Sequence, residues 1–441
     1  MKSKPLIQAW VVLGCLFNVF QSLRAQSLTF TTNTYAVGNR AGRVVAADIN
    51  GDGKLDLICD GTPMVLTNNG SGGFGSNTTY KVDSLQSFAT AADINGDGKL
   101  DVICTRGADL PGGNDTLVVL TNNGTGGLGS NATLKVGSLA SFVVAADVNN
   151  DGKPDLICAN WGSGSLTVLT NSGGGGFGFN ATLTVGGRPF CVAAADVNGD
   201  GKPDLISAND LTTTLTVLTN NGQGGFGFNA TLNVGSRPLC VVAVDVNGDG
   251  KPDLISANEN DNTLTVLTNN GYGAFGLTAT LDVGTTPRCV VAADINGDGK
   301  PDLVSADYDD NALTVLTNDG YGSFGSNITL HVGSQPFCVV AADVNNDGRL
   351  DLISADSGDH TLTVLMQTVV GPPRLNISPT NSNSIVLSWS SLSTGFAIQT
   401  NGDLAGTNWA PAGYAIFTSN GTNQSATIPP PPGILFFRLK Q

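Results

Sequence analysis

The sequence predicts an all-β chain: a seven-bladed β-propeller closed by its N-terminal strand and followed by a small β-sandwich. Three observations carry that expectation. A nine-residue motif recurs seven times along the chain. Short β-branched runs between the motifs are separated by Asn, Asp and Gly, the pattern of strands joined by tight turns. Composition agrees, with 58 glycines, 6% aromatic and 13% charged residues describing a turn-rich β protein.

The motif reads DINGDGKLD from residues 48 and 93, DVNNDGKPD from 147, DVNGDGKPD from 196 and 245, DINGDGKPD from 294 and DVNNDGRLD from 343. Its first Asp positions lie 45, 54, 49, 49, 49 and 49 residues apart. Each period then repeats a DLI run, a TLTVLTNN-like run, a glycine turn and an ATL run, enough for four strands. Four-stranded units of this length, repeated seven times, pack face to face around an axis as propeller blades. Blade seven, from Cys338 to Leu365, supplies only three strands before the repeat ends at Met366. The segment at 28–38, LTFTTNTYAVG, has the alternation of a fourth strand. Gly38 lies ten residues before Asp48, as Gly186, Gly235, Gly284 and Gly333 lie ten before their own Asp. The N-terminal strand is therefore expected to complete blade seven and remove two open edges.

The flanks divide the chain further. Lys2 and Lys4 precede an apolar stretch ending in Leu23-Arg24-Ala25, read as a signal peptide over 1–25 cleaved near Ala25. Gln8 and Asn18 interrupt the run, which is too short to span a bilayer. Val-Leu-Gly-Cys at 12–15 also resembles a lipoprotein processing box, which leaves lipidation of Cys15 open. The propeller is assigned to 26–370, and Gly371-Pro372-Pro373 links it to a module over 371–441. There IVLSWSS, GFAIQT and ILFFRLK read as strands, with Trp389 and Trp409 as core aromatics. The expected location is extracellular or cell-surface.

A formal net charge of -15 and a pI near 4.3 argue against nucleic acid or an anionic membrane as partner. Of 36 acidic residues only Glu259 is a glutamate. Asp used alone suits tight turns and short-armed metal ligation. Seven cysteines follow the signal: Cys59, Cys104, Cys158, Cys191, Cys240, Cys289 and Cys338. An odd number is not a complete disulfide set. No blade holds two, so they are read as small buried residues that alternate with Ser.

Each motif offers side-chain oxygens at positions 1, 3, 5 and 9 and a backbone carbonyl at 7, wrapped around a glycine at 6. The candidate ligands are Asp48, Asn50, Asp52, Lys54 and Asp56 in the first loop, and Asp93, Asn95, Asp97, Lys99 and Asp101 in the second. Asp147, Asn149, Asp151, Lys153 and Asp155 form the third set, and Asp196, Asn198, Asp200, Lys202 and Asp204 the fourth. The fifth is Asp245, Asn247, Asp249, Lys251 and Asp253, and the sixth Asp294, Asn296, Asp298, Lys300 and Asp302. Asp343, Asn345, Asp347, Arg349 and Asp351 complete the series. Hard oxygen donors in a flexible cage suit Ca²⁺ better than Mg²⁺, giving about seven ions, one per blade. Without a cation, three carboxylates within nine residues would repel. An EF-hand would place a bidentate Glu at position 12, where this chain has Cys59, Cys104, Cys158, Ser207, Ser256, Ser305 and Ser354.

These loops, the DLI strand and the Phe-Gly pairs (Phe74-Gly75, Phe177-Gly178, Phe226-Gly227, Phe275-Gly276, Phe324-Gly325) resemble FG-GAP or VCBS repeats of the integrin-α-like type. Leu128 replaces the Phe in blade two. The resemblance implies calcium-stabilised blades and extracellular recognition or adhesion, with no activity attached. The C-terminal 70 residues resemble a fibronectin-III-like module of secreted bacterial proteins.

The loops joining strands two and three vary most: DGTP, TRGADLPGGND, ANWGSGS, ANDLTTT, ANENDNT, ADYDDNA and ADSGDHT. Function in repeat scaffolds concentrates in such loops. On the face these loops share with the blade-to-blade connections, Arg40, Arg106, Trp161, Arg188, Arg237, Tyr308 and His360 are the candidates, suited to a glycan or an extracellular protein carrying carboxylates. The only histidines are His331 and His360, and no nucleophile–base arrangement can be assembled, so a monomeric binding scaffold is expected rather than an enzyme. A polysaccharide lyase or hydrolase and a structural surface protein are the alternatives.

Overall fold

Alternating apolar residues and paired left-handed turns decide where each strand begins and ends. The computed structural model describes residues 28–38, 41–60, 64–79, 86–106 and 115–368. Of the C-terminal segment it describes 376–379, 385–390, 397–401, 410–411, 416–419, 423–428 and 436–440. The expected signal peptide, Arg40 and the 371–375 linker lie outside the described residues. Among those described there is no helix, and seven four-stranded antiparallel sheets form the blades of a propeller.

Blade four is representative, with strands Arg188–Ala195, Asp204–Asp210, Thr214–Asn220 and Phe226–Asn233 paired in chain order. Its second strand is buried at every position, and its third at nearly every one. That follows from sheets stacked on both faces, and it explains the continuous apolar run DLISA. The fourth strand alternates exposed and half-buried residues, as expected at a rim. Blade cores are shared between neighbours: Phe88, Ile103 and Leu117 of blade two pack with Val143, Leu156 and Cys158 of blade three.

A polar ring ties the blades together at one end. A residue at or near the end of the third strand sends its side-chain amide to the carbonyl of motif position 2 in the preceding blade. Asn122 Nδ2 reaches Ile49 O at 2.7 Å and Asn171 Nδ2 reaches Ile94 O at 2.7 Å. Asn220 reaches Val148 O at 2.8 Å, Asn269 reaches Val197 O at 2.9 Å and Asn318 reaches Val246 O at 2.8 Å. Gln367 donates to Ile295 O at 2.9 Å, and Asn68 closes the ring on Val344 O at 2.7 Å. Buried amides with good acceptors hold register more than they add net energy, each being worth about 1 kcal/mol.

The seventh sheet runs in the order Thr29–Ala36, Thr361–Thr368, Asp351–Asp356, Pro336–Ala342. Thr29 Oγ1 donates to Thr368 O at 2.8 Å, and Val37 N donates to His360 O at 3.0 Å. The third strand of this blade continues to Thr368, beyond the end of the sequence repeat at Leu365, because Gln367 takes over the Asn position of the polar ring.

The chain divides into two compact units, Phe30–Gln367 and a second comprising Thr368–Gln441 with the residues up to Thr29. In the second, one sheet has the order Asn376–Pro379, Ile385–Ser390, Asn423–Ile428, Ile416–Ser419. Another pairs Ala410–Pro411, Ala397–Asn401 and Phe436–Lys440. Leu387 and Ala426 of the first sheet and Ile398 and Phe437 of the other are buried. Trp389 and Trp409 lie outside the described side chains.

Candidate functional site: acidic loops and an arginine–aromatic belt

Each acidic motif folds around its own carboxylates. Asp48 Oδ1 accepts from Gly51 N (2.8 Å) and Asp52 N (3.2 Å), while its Oδ2 accepts from Gly53 N (2.8 Å). Asn50 Oδ1 accepts from Asp52 N and Asp52 Oδ1 from Lys54 N. Gly53 sits at φ 80°, and its counterparts Gly98, Gly152, Gly201, Gly250, Gly299 and Gly348 at 80 to 87°. A Cβ on Gly53 would meet nothing within 4 Å, so the backbone angle rather than space demands glycine there. The side-chain oxygens of positions 1, 3 and 5 thus all accept backbone amides of the same turn.

Position 9 has a different task. Asp56 is fully buried, with Oδ2 accepting from Ile49 N at 3.2 Å and Oδ1 from Asn68 N at 2.8 Å. Asp101, Asp155, Asp204, Asp253, Asp302 and Asp351 are likewise fully buried and bonded in the same way. Each therefore clamps motif position 2 to the third strand, beside the amide that hooks the preceding blade. Burial pushes these carboxyls above the usual carboxylate range, to about 6 for Asp302 and Asp351, against the pull of the amide hydrogen bonds. The position-5 Asp is partly neutralised by its own position-7 side chain, from 3.0 Å for Arg349–Asp347 to 3.8 Å for Lys300–Asp298. These pairs are solvent-screened and worth little.

The donor set fits a hard cation: two carboxylates, an amide oxygen and a loop carbonyl, with a buried carboxylate behind them that has no ion-pair partner among the described residues. Among the described residues no three His, Cys, Asp or Glu side chains converge as a metal cage by themselves. A cation here would depend on the Asn oxygen and the position-7 carbonyl as well as the acids.

At the opposite ends of the strands, four of the seven residues expected on the variable face lie in one belt. Trp161 Nε1 donates to Asp210 Oδ2 at 2.6 Å, and the Arg188 guanidinium lies 4.5 Å from the Trp161 ring. Arg237 Nε donates to Asp210 Oδ1 at 2.8 Å, and its Nη1 pairs with Glu259. Glu259 also takes Arg288 Nη2 at 2.7 Å, and Arg288 stacks at 4.5 Å over Tyr308. Arg237 holds a left-handed φ of 56° immediately before Pro238, a strained backbone that fixes where its side chain emerges.

The remaining candidates fall elsewhere. Arg106 ends the second strand of blade two, half-buried and with partners of its own. His360 is exposed and serves the seventh blade through its carbonyl. Glu259, Asp210 and Arg288 had not been picked out as site residues. The solitary glutamate in an acidic chain was the signal that could have pointed to the first.

A second feature unremarked in the sequence lies on the axis. Arg43, Phe88 and Phe142 hold the register position of Cys191, Cys240, Cys289 and Cys338 on or beside the first strands, and Phe190, Leu239, Arg288 and Phe337 each precede one of those cysteines. Arg43 lies 5.0, 4.7, 5.7 and 5.7 Å from the rings of Phe88, Phe142, Phe190 and Phe337, which places the first strands around the axis. Along the cysteine row, Cys289 Sγ lies 3.8 Å from Cys338 Sγ. All seven cysteines in the blades are free and buried. Cys59, Cys104 and Cys158 do share the position of Ser207, Ser256, Ser305 and Ser354, whereas the other four form this axial row, where blades one to three carry Arg43, Phe88 and Phe142.

One buried polar site between strands two and three yields a direct test. Asn209 Oδ1 accepts from Ser207 Oγ at 2.9 Å, and its Nδ2 donates to Thr216 Oγ1 at 2.9 Å. In blades six and seven the same position is Asp307 and Asp356, whose carboxyls burial pushes up to about 6 despite hydroxyl donors. Their folded values exceed the unfolded one, so stability is full below about pH 4, falls as pH rises to about 6 and stays reduced above it. Asp307→Asn is therefore expected to stabilise the protein by roughly 2 kcal/mol at pH 7 and to have no effect below about pH 4. Denaturant unfolding at the two pH values checks it, and equal stability of wild type and variant at pH 7 would refute it.

The FG-GAP-like repeat family matches this chain in six overlapping windows: 48–104, 93–158, 147–207, 196–256, 245–305 and 294–354. The chain belongs to the FG-GAP-like repeat family. Each window begins at one acidic loop and ends in the second strand of the next blade, so six windows accompany seven loops. The BBS1N propeller, solved in complex with ARL6DN, is similar at 10% identity, with a TM-score of 0.58 over 78% of this chain and 98% of that one. Virginiamycin B lyase of Staphylococcus aureus is similar at 14% identity, with a TM-score of 0.51 over 76% and 99%. An Agrocybe aegerita lectin that recognises non-reducing terminal N-acetylglucosamine matches at 21% identity, with a TM-score of 0.48 over 76% and 86%, too slight a likeness to add to the assignment. Among curated proteins none matches the chain.

Proposed function

We propose that this FG-GAP repeat propeller is an extracellular, calcium-stabilised binding scaffold whose belt end receives a glycan or protein segment bearing carboxylates. The observation that carries the reading is the continuous run Arg188–Trp161–Asp210–Arg237–Glu259–Arg288–Tyr308. Three arginines stand together there in a chain of net charge -15, Arg237 and Arg288 held by Asp210 and Glu259, so the belt gathers guanidinium donors on an otherwise acidic molecule. Arginine offers bidentate donors to a carboxylate, and Trp161 and Tyr308 add ring faces to which sugars or side chains can stack. Glu259 and Asp210 hold the arginines in place, so the belt is ordered before a ligand arrives. BBS1N, of the same fold, binds a protein, which accords with a scaffold role.

In the same proposal, Ca²⁺ occupies the acidic loops, held by the oxygens of positions 1, 3, 5 and 7 with the position-9 carboxylate behind. Its contribution there is charge neutralisation, which lets each loop keep its clamp on the third strand. The N-terminal segment delivers the protein outside the cell.

A glycan and protein array, probed with and without calcium, tests the scaffold reading. Trp161→Ala with Arg188→Ala is expected to weaken binding to any hit at least tenfold, since an exposed cation–π pair is worth about 0.5–1 kcal/mol and a charged hydrogen bond about 1.5–3 kcal/mol. Unchanged affinity of the double variant would remove the belt from the proposal.

A further inference from the structure

Arg43 is 4% exposed, and among the described residues it has neither a hydrogen bond nor an ion pair from its side chain. Four phenyl faces surround it. Ring faces stabilise a cation, but they carry no lone pairs, and a guanidinium has five N–H donors to satisfy. An isolated buried charge is among the most costly arrangements a fold can hold. Asp60, the buried acid across the strand from Arg43, forms no ion pair with it and accepts from Gly42 N at 2.8 Å, while Glu259 is engaged by Arg237 and Arg288 and Asp210 by Arg237 and Trp161. A second donor close by is also unsatisfied: Arg288 Nε is buried without a hydrogen-bond partner. Arg288 and Arg43 share the ring of Phe337, at 5.4 and 5.7 Å.

We propose that the propeller axis holds a compact monovalent anion, a halide or a carboxylate, on the Arg43 guanidinium with Arg288 Nε beside it. The phenyl walls favour a weakly hydrated, singly charged species, because sulfate or phosphate would have to leave most of its hydration outside. The axial thiols are poor counter-ions. Hydrogen bonding among the thiols and burial keep Cys240, Cys289 and Cys338 above the ordinary thiol range. Cys191 alone is shifted the other way, by the Cys240 hydrogen bond and then Arg43, against burial. This axial site is independent of what the belt binds.

The test uses the intact protein at constant calcium and constant ionic strength. Replacing sodium gluconate by sodium chloride or bromide is expected to raise the melting temperature by about 2 °C per tenfold increase in halide. Sodium formate and acetate arms distinguish a carboxylate site, which they would satisfy, from a halide-only one. Arg43→Met is expected to abolish the response. Crystals grown in bromide read the site without a variant: an anomalous peak within hydrogen-bonding distance of Arg43 is expected. No bromide at Arg43, or a halide response that persists in Arg43→Met, overturns the proposal. Were a Cys191 thiolate the counter-ion, Cys191→Ala would lower the melting temperature while halide had no effect, and that result overturns it too.

Discussion

Chelation by EDTA is expected to lower the melting temperature of this protein by more than about 10 °C, and calcium, but not magnesium at equal concentration, to restore it. The size follows from counting coupled sites. An ion at a hundred times its dissociation constant stabilises the native state by about 2.7 kcal/mol at one site, and there are seven loops. The loops are also not peripheral to the fold. Motif position 2 donates its amide to the position-9 carboxylate, buries its side chain between blades and gives its carbonyl to the next blade's Asn. Loosening a loop through repulsion between Asp196 and Asp200 would therefore reach Val197 and then Asn269 of the following blade. Calorimetry with and without chelator measures the effect. Coincident transitions would show that the carboxylates are fully served by backbone amides and the position-7 cations.

Deleting residues 28–37 is the second large perturbation, and loss of a cooperative unfolding transition is the expected result. The strand Thr29–Ala36 is the fourth strand of blade seven, and its removal exposes the edge of Thr361–Thr368. It also removes the Thr29–Thr368 pair, the Val37–His360 bond and the Tyr35 contacts, an edge-to-face ring with Phe74 and a hydrogen bond to Gly72 O at 3.2 Å. An exposed strand edge is a template for association as well as a loss of stability. Circular dichroism melts and light scattering of the truncated chain would check both. A truncated protein that melts like the full one would show that three strands suffice.

The blades were legible because each element has a periodic cause. The second strands between two stacked sheets are buried at every position except Arg106, the fourth strand alternates, and glycine holds position 6 of every acidic loop at positive φ. The turn glycine at position 6 was equally legible from spacing. Position 9 was not: Asp204 looks like one more ligand in the string, but its burial and its bonds to Val197 N and Asn220 N depend on a strand sixteen residues away. The belt was half legible. Trp161, Arg188, Arg237 and Tyr308 stood out on the variable face, whereas Arg288 sits in a strand position that looks like core, as does the axial Arg43 just before a strand. Only when seven first strands meet at an axis do single residues from distant repeats become neighbours.

The amide ring has a consequence for how such a protein can change over time. A segment copied from one acidic loop to the next carries one hook and one eye, the Asn side chain and the carbonyl that receives its neighbour's. Duplication or loss of a whole segment leaves no polar group stranded, so blade number can drift by integers while the joinery between blades stays complete. Gln367 marks the one seam in the circle where the pattern had to be cut to a different length.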